Sequence, residues 1–142
     1  MDVVFGLWVD SGAAPDHAGS EGGSLGAPVV GPSGLLDILE TATGLGEPPV
    51  AQVVRIAAFQ SALERLGGDR FWSRSLAMDP WSTARTLLQW RDELVNLGWR
   101  PGDGWTGSRL VDLAAAADAA RELPRGIADR TARVYRPQRR SF

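Results

Sequence analysis

The sequence predicts a mostly helical α/β fold, an N-terminal strand followed by four to five helices. Three observations carry that expectation. Residues 79–99, DPWSTARTLLQWRDELVNLGW, keep a helical period between a marked start and a marked stop. Residues 3–9, VVFGLWV, form a short apolar run rich in β-branched and aromatic side chains. Punctuation at Gly44, Gly67-Gly68, Gly98 and Pro124 cuts the remainder into segments of helical length.

The segment 79–99 is the hub of this prediction. Asp79 can accept the first free amide hydrogens as an N-cap, and Pro80 suits the first helical position, where a missing N–H costs nothing. Ser82, Arg85, Gln89, Asp92, Glu93 and Asn96 recur as a polar stripe. Trp81, Ala84, Leu87, Leu88, Leu94 and Val95 cover the other side, with Trp90 and Leu97 on its flank. Gly98 supplies a left-handed exit. So wide an apolar face needs partners on more than one side, so this helix is expected at the centre of a small core.

From the N-terminus, residues 3–9 read as a buried strand in which Gly6 marks a bulge or a close backbone contact. Residues 10–28 change abruptly to Gly, Ala, Ser and Pro without periodicity, the pattern of a mobile loop. Val29 and Val30 form a brief second strand or simply lead onward. Helices are expected over 34–43, stopped by Gly44, and over 50–66. The second of these has Val50, Val53, Val54 and Ala57 on one edge and Ile56, Phe59, Leu63 and Leu66 on another. Residues 69–77 read as a connector or short extended segment, and 100–107 as a Pro/Gly turn carrying Trp105. Ser108 then caps an alanine-rich helix over 109–123, and residues 126–135 form a last short helix.

A chain of 142 residues, 44% hydrophobic, buries one ordinary core, so a single domain over 1–135 is expected, followed by a basic tail at 136–142. The net charge of −2 makes no global argument for nucleic acid or an anionic membrane. No cysteine is present, which removes disulfides, thiolate metal sites and cysteine nucleophiles and fits a cytoplasmic protein. No apolar run approaches the roughly 20 residues that span a bilayer, so no membrane partner is expected. All fifteen basic residues are arginine. Without lysine neither a P-loop lysine nor a Schiff base can form, and no cofactor is expected.

Few residues are candidates for chemistry. His17 is the single histidine, beside Asp16 in the Gly/Ser-rich stretch. Asp37 with Glu40, and Asp92 with Glu93, are carboxylate pairs able to share a proton or a metal, but without a histidine or third acid they read better as solvated or arginine-paired faces. Gly31-Pro32-Ser33-Gly34 puts free amides at a helix start, a geometry that can hold phosphate. Of the six tryptophans, most lie on apolar stripes and read as core or interface residues, except Trp105 in its loop. A nucleic-acid contact is expected from Trp105 with Arg130, Arg133, Arg136, Arg139 and Arg140, since no acid follows Asp129.

The strings GPSGLLDILETATGL, VRIAAFQSALERL, RFWSRSLAMDPWSTARTLLQWRDELVNLGW and SRLVDLAAAADAARELPRGIADR resemble the N-terminal region of large bacterial AddB-like proteins. These are described as PD-(D/E)XK nuclease family proteins with an inactivated superfamily I helicase part. The resemblance covers residues 3–133. It implies a degenerate P-loop helicase-like domain and a role in DNA double-strand break repair, with DNA and a helicase-nuclease partner subunit as partners. The loop after the first strand lacks GK[ST], and the family's nuclease motif needs a lysine, so no catalytic residue carries over and the chain is not expected to be an enzyme. It reads as a truncated, non-catalytic piece that serves as scaffold or DNA contact. The alternative is a free-standing helical protein-interaction module. A small hydrolase built on Asp37, Glu40 or His17 is the least favoured reading.

Overall fold

The structure, a computed structural model, describes residues 3–7, 9–11 and 28–135. The fold is mostly helical α/β, with six α-helices and a two-stranded parallel sheet among the described residues. The chain divides into two compact units, residues 1–47 and 48–142.

In the first unit, β1 (Val4–Phe5) pairs in parallel with β2 (Val29–Val30), in register Val4 with Val29 and Phe5 with Val30. Val4 and Phe5 are about half exposed, so the strand foreseen as buried across residues 3–9 is two residues long and open to solvent. Val9–Ser11 forms a 3-10 turn where the mobile loop expected over residues 10–28 would begin; residues 12–27 of that expectation lie outside the described set. α1 (Pro32–Thr43) starts two residues before the predicted position because Pro32 occupies the first turn. It ends at Gly44, where a φ of 69° lets the amides of Gly44 and Leu45 close onto the carbonyls of Thr41 and Glu40.

The second unit is built on α4 (Pro80–Asn96). The Asp79 carboxylate accepts from the Ser82 amide at 3.0 Å, the cap expected from the sequence. At the other end Gly98, at φ 90°, and Trp99 donate to the carbonyls of Val95 and Leu94, both at 2.9 Å. Around α4 pack α2 (Gln52–Leu66), α3 (Ser73–Met78), α5 (Ser108–Ala119) and α6 (Ile127–Val134). Phe59, Ala62 and Leu63 of α2, Ala84, Leu87 and Leu88 of α4, Leu113 and Ala116 of α5, with Trp72 and Trp99, make the core. Ala84 and Ala116 are wholly buried, and such small side chains let neighbouring helices approach closely.

Several local expectations are corrected. The connector expected at 69–77 contains α3, whose six residues are too few to show a period. Ser108 is the first residue of α5 and makes no cap; Gly107 stands at the cap position, and α5 ends at Ala119, earlier than foreseen. On α2 the Ile56, Phe59 and Leu63 edge is buried, but Val53 and Val54 are about half exposed because Arg55 turns inward between them and Ile56. No helix among the described residues is long and apolar enough to cross a membrane.

Candidate nucleic-acid interface

The most elaborate polar construction among the described residues is a two-arginine, two-aspartate network that ties α2, α4 and α6 together. Arg55 of α2 is 2% exposed, yet each guanidinium nitrogen has an acceptor. Its Nε donates to the Pro124 carbonyl at 2.9 Å, one terminal nitrogen donates to Asp92 Oδ2 at 2.7 Å, and the other donates to Asp129 Oδ2 at 3.2 Å. Arg91 donates to Asp92 at 2.7 Å and pairs with the second oxygen of Asp129. The Gly126 amide completes the set by donating to Asp129 at 3.0 Å, which also starts α6. A Cβ on Gly126 would overlap the Arg55 guanidinium, so glycine is the residue that lets this turn close.

The charge states follow from that geometry. Burial alone would push the Asp129 carboxyl up, but the hydrogen bond and charge of Arg91, the Gly126 amide and the Arg55 charge hold it below the ordinary carboxylate range. Buried charges of this kind are tolerable only when paired and hydrogen-bonded, and here both aspartates are.

On the solvent side of the network, a groove of about 700 Å³ runs along the C-terminal end of α4, the turn after it and α6. Arg91, Arg100, Arg125 and Arg133 line it, and Asp129 is the one acid in its lining among the described residues. Trp99 also lines it and is 5% exposed; its indole N–H finds no acceptor among the described residues. Trp105 stands beside the groove, its ring N–H donating to the Arg100 carbonyl at 2.9 Å.

The residues foreseen as nucleic-acid contacts separate. Arg133 lines the groove and Trp105, 39% exposed, is anchored next to it. Arg130 is a correction: it is 7% exposed, because its position on α6 faces inward, so it belongs to the packed interior rather than to a basic tail. Arg136, Arg139 and Arg140 lie outside the described residues, as does His17. The tryptophans expected in core or interface divide. Trp72 and Trp99 are core residues, whereas Trp81 and Trp90 are about 40% exposed.

The two members of each carboxylate pair differ in their surroundings. Asp92 turns into the arginine network, while its neighbour Glu93 stays exposed and accepts from Gln89 at 2.9 Å. Asp37 is exposed on α1 and Glu40 is buried. No group of three or more His, Cys, Asp or Glu side chains that could hold a metal occurs among the described residues. At the start of α1 the Ser33 amide is already engaged, donating to Asp10 Oδ2 at 2.6 Å. The chain's own carboxylate thus sits where a phosphate would have been received.

Arg91, Arg100 and Arg125 were not among the foreseen contacts, and a signal for them lies in the charge distribution. Residues 1–47 hold seven acids and no arginine, whereas residues 48–142 hold all fifteen arginines against ten acids, giving formal charges of −7 and +5. The whole-chain value of −2 conceals that separation. Comparison with protein-family models, with curated proteins and with solved structures gives no match.

Proposed function

We propose that this chain is a non-catalytic, helicase-like N-terminal piece of a DNA double-strand break repair helicase-nuclease subunit of the AddB-like kind, with residues 48–142 as its DNA contact. The observation that carries the reading is the separation of charge, which leaves residues 48–142 at +5, three of these charges from Arg136, Arg139 and Arg140, while residues 1–47 are at −7. A basic unit attracts a phosphate backbone by releasing its condensed counterions, whatever the base sequence. Two features support a piece without ATPase or nuclease activity: the chain has no lysine, and Asp10 occupies the Ser33 amide at the start of α1. The test is fluorescence anisotropy of labelled single-stranded and duplex DNA with the purified chain across a salt series. Binding that weakens linearly on a log-log salt plot is expected. A folded chain that leaves both oligonucleotides free at low salt would sink the reading.

A second reading, a helical protein-interaction module, draws on the apolar side chains left outside the core. Val53, Val54, Trp81 and Trp90 are between about 40% and 60% exposed, and Leu97 is 83% exposed. It predicts concentration-dependent association by sedimentation, persisting at high salt; a monomer at every concentration, with no partner captured, would argue against it.

A further inference from the structure

We propose that the groove along the end of α4 and α6 is the seat of a phosphodiester backbone, gripped by Arg100, Arg125 and Arg133, with Arg91 set behind them. The inference rests on the DNA-contact reading above and narrows it from a charged unit to one surface. Three observations lead to this surface. First, four of the arginines of the helical unit converge on one concavity of about 700 Å³. A concave wall in which one sign of charge predominates concentrates potential more than the same charges spread over a convex face.

Second, the single acid in that lining is already compensated. Asp129 receives Arg55 and Arg91 on its two oxygens and the Gly126 amide besides, so it offers little repulsion to an incoming phosphate. Arg55 is therefore a positioning residue: buried at 2% exposure, it reaches no ligand, yet together with Arg91 it balances the charges of Asp92 and Asp129. Third, the guanidinium chemistry suits the ligand. Each arginine carries five N–H donors in a planar fork, so one already engaged within the protein keeps donors for a phosphate oxygen. Arg100 is exposed, and no hydrogen bond of its guanidinium forms among the described residues. Tyr135, 79% exposed, lines the same groove, and Trp105 flanks it, which gives aromatic faces next to the cationic track.

Charge alone would draw a polyanion to any part of the helical unit, so the experiment compares arginines of equal charge in different places. Arg100→Gln and Arg133→Gln remove charge in the groove; Arg74→Gln and Arg85→Gln remove it from exposed positions on α3 and on the first half of α4, outside the groove. Each variant, checked for unchanged circular dichroism, is titrated by anisotropy against labelled single-stranded DNA, duplex DNA and RNA across a salt series. The groove variants are expected to flatten the log-log salt slope by about one each, and the controls by much less. The three nucleic acids show which strand form the shared backbone chemistry belongs to. Equal weakening in all four variants, or binding lost only when the chain is cut after Tyr135, would overturn the groove and leave the DNA-contact reading standing. No binding by the wild-type chain would overturn both. Arg100→Gln alone decides the matter if Arg133→Gln disturbs the fold, because the Arg100 side chain has no structural partner among the described residues.

Discussion

Arg55 illustrates how one charged side chain organises a small helical core. Its guanidinium is far from water, and it is stable there because Asp92, Asp129 and the Pro124 carbonyl meet its fork. Replacing it with methionine keeps the volume but strands two partly buried carboxylates on Arg91 alone, a loss of about 3 kcal/mol read from urea unfolding. A variant as stable as the wild type would show that the network contributes nothing net. Asp129 makes the pH counterpart. Its native pKa is depressed, so its contribution is complete above the ordinary aspartate value of about 3.9 and is lost as pH falls through the lower native value. Asp129→Asn should therefore be less stable than wild type at neutral pH, with the gap closing in acid; a gap that stays constant down the acid limb would contradict the ion-pair account. Neither role could be read from the sequence. Arg55 stands among Val53, Val54 and Ile56 like a solvated arginine, and its carboxylate acceptors lie 37 and 74 residues away.

At the scale of elements, α4 is the most legible part of the chain because its start and stop are written in single residues. Asp79→Ala removes the oxygen that holds the Ser82 amide and should cost about 1 kcal/mol, seen as a lower urea midpoint with an unchanged slope. A neutral outcome would mean that water replaces the cap. Gly98 stops the helix at φ 90°, where the next amide, of Trp99, reaches back to Leu94 and brings the Trp99 ring into the core. α2 was half legible. Its helical period marks the element, but two apolar edges compete in it, and only the one carrying Phe59 and Leu63 meets α4 and α5. α3 left no sequence signal, since a six-residue helix hinges on the burial of Trp72 before it and on Ser73, whose hydroxyl accepts from the Arg70 amide.

For the whole molecule, the main hydrophobic cluster and the ion pairs of Arg55, Arg70 and Arg91 lie within residues 55–129, inside the second unit. Residues 48–142 produced alone should accordingly keep their helical circular dichroism and a cooperative thermal transition, and should bind DNA more tightly at low salt than the full chain, since seven acids are removed. Loss of the transition would show that residues 1–47 contribute to the fold of the helices. By itself the sequence determined the helices with local signals, namely α1 by its stop at Gly44, α4 by Asp79 and Gly98, and α6 by Gly126. It also contained the separation of charge, a property of composition that folding does not alter. Caps and glycine exits act over four or five residues, so they survive in one dimension. Tertiary structure alone decided that Arg55 and Arg130 turn inward, that Trp81 and Trp90 stay outside, and that Arg91, Arg100, Arg125 and Arg133 share one groove. Those outcomes depend on which faces of α2, α4 and α6 meet, and each such contact is settled by packing between segments distant along the chain.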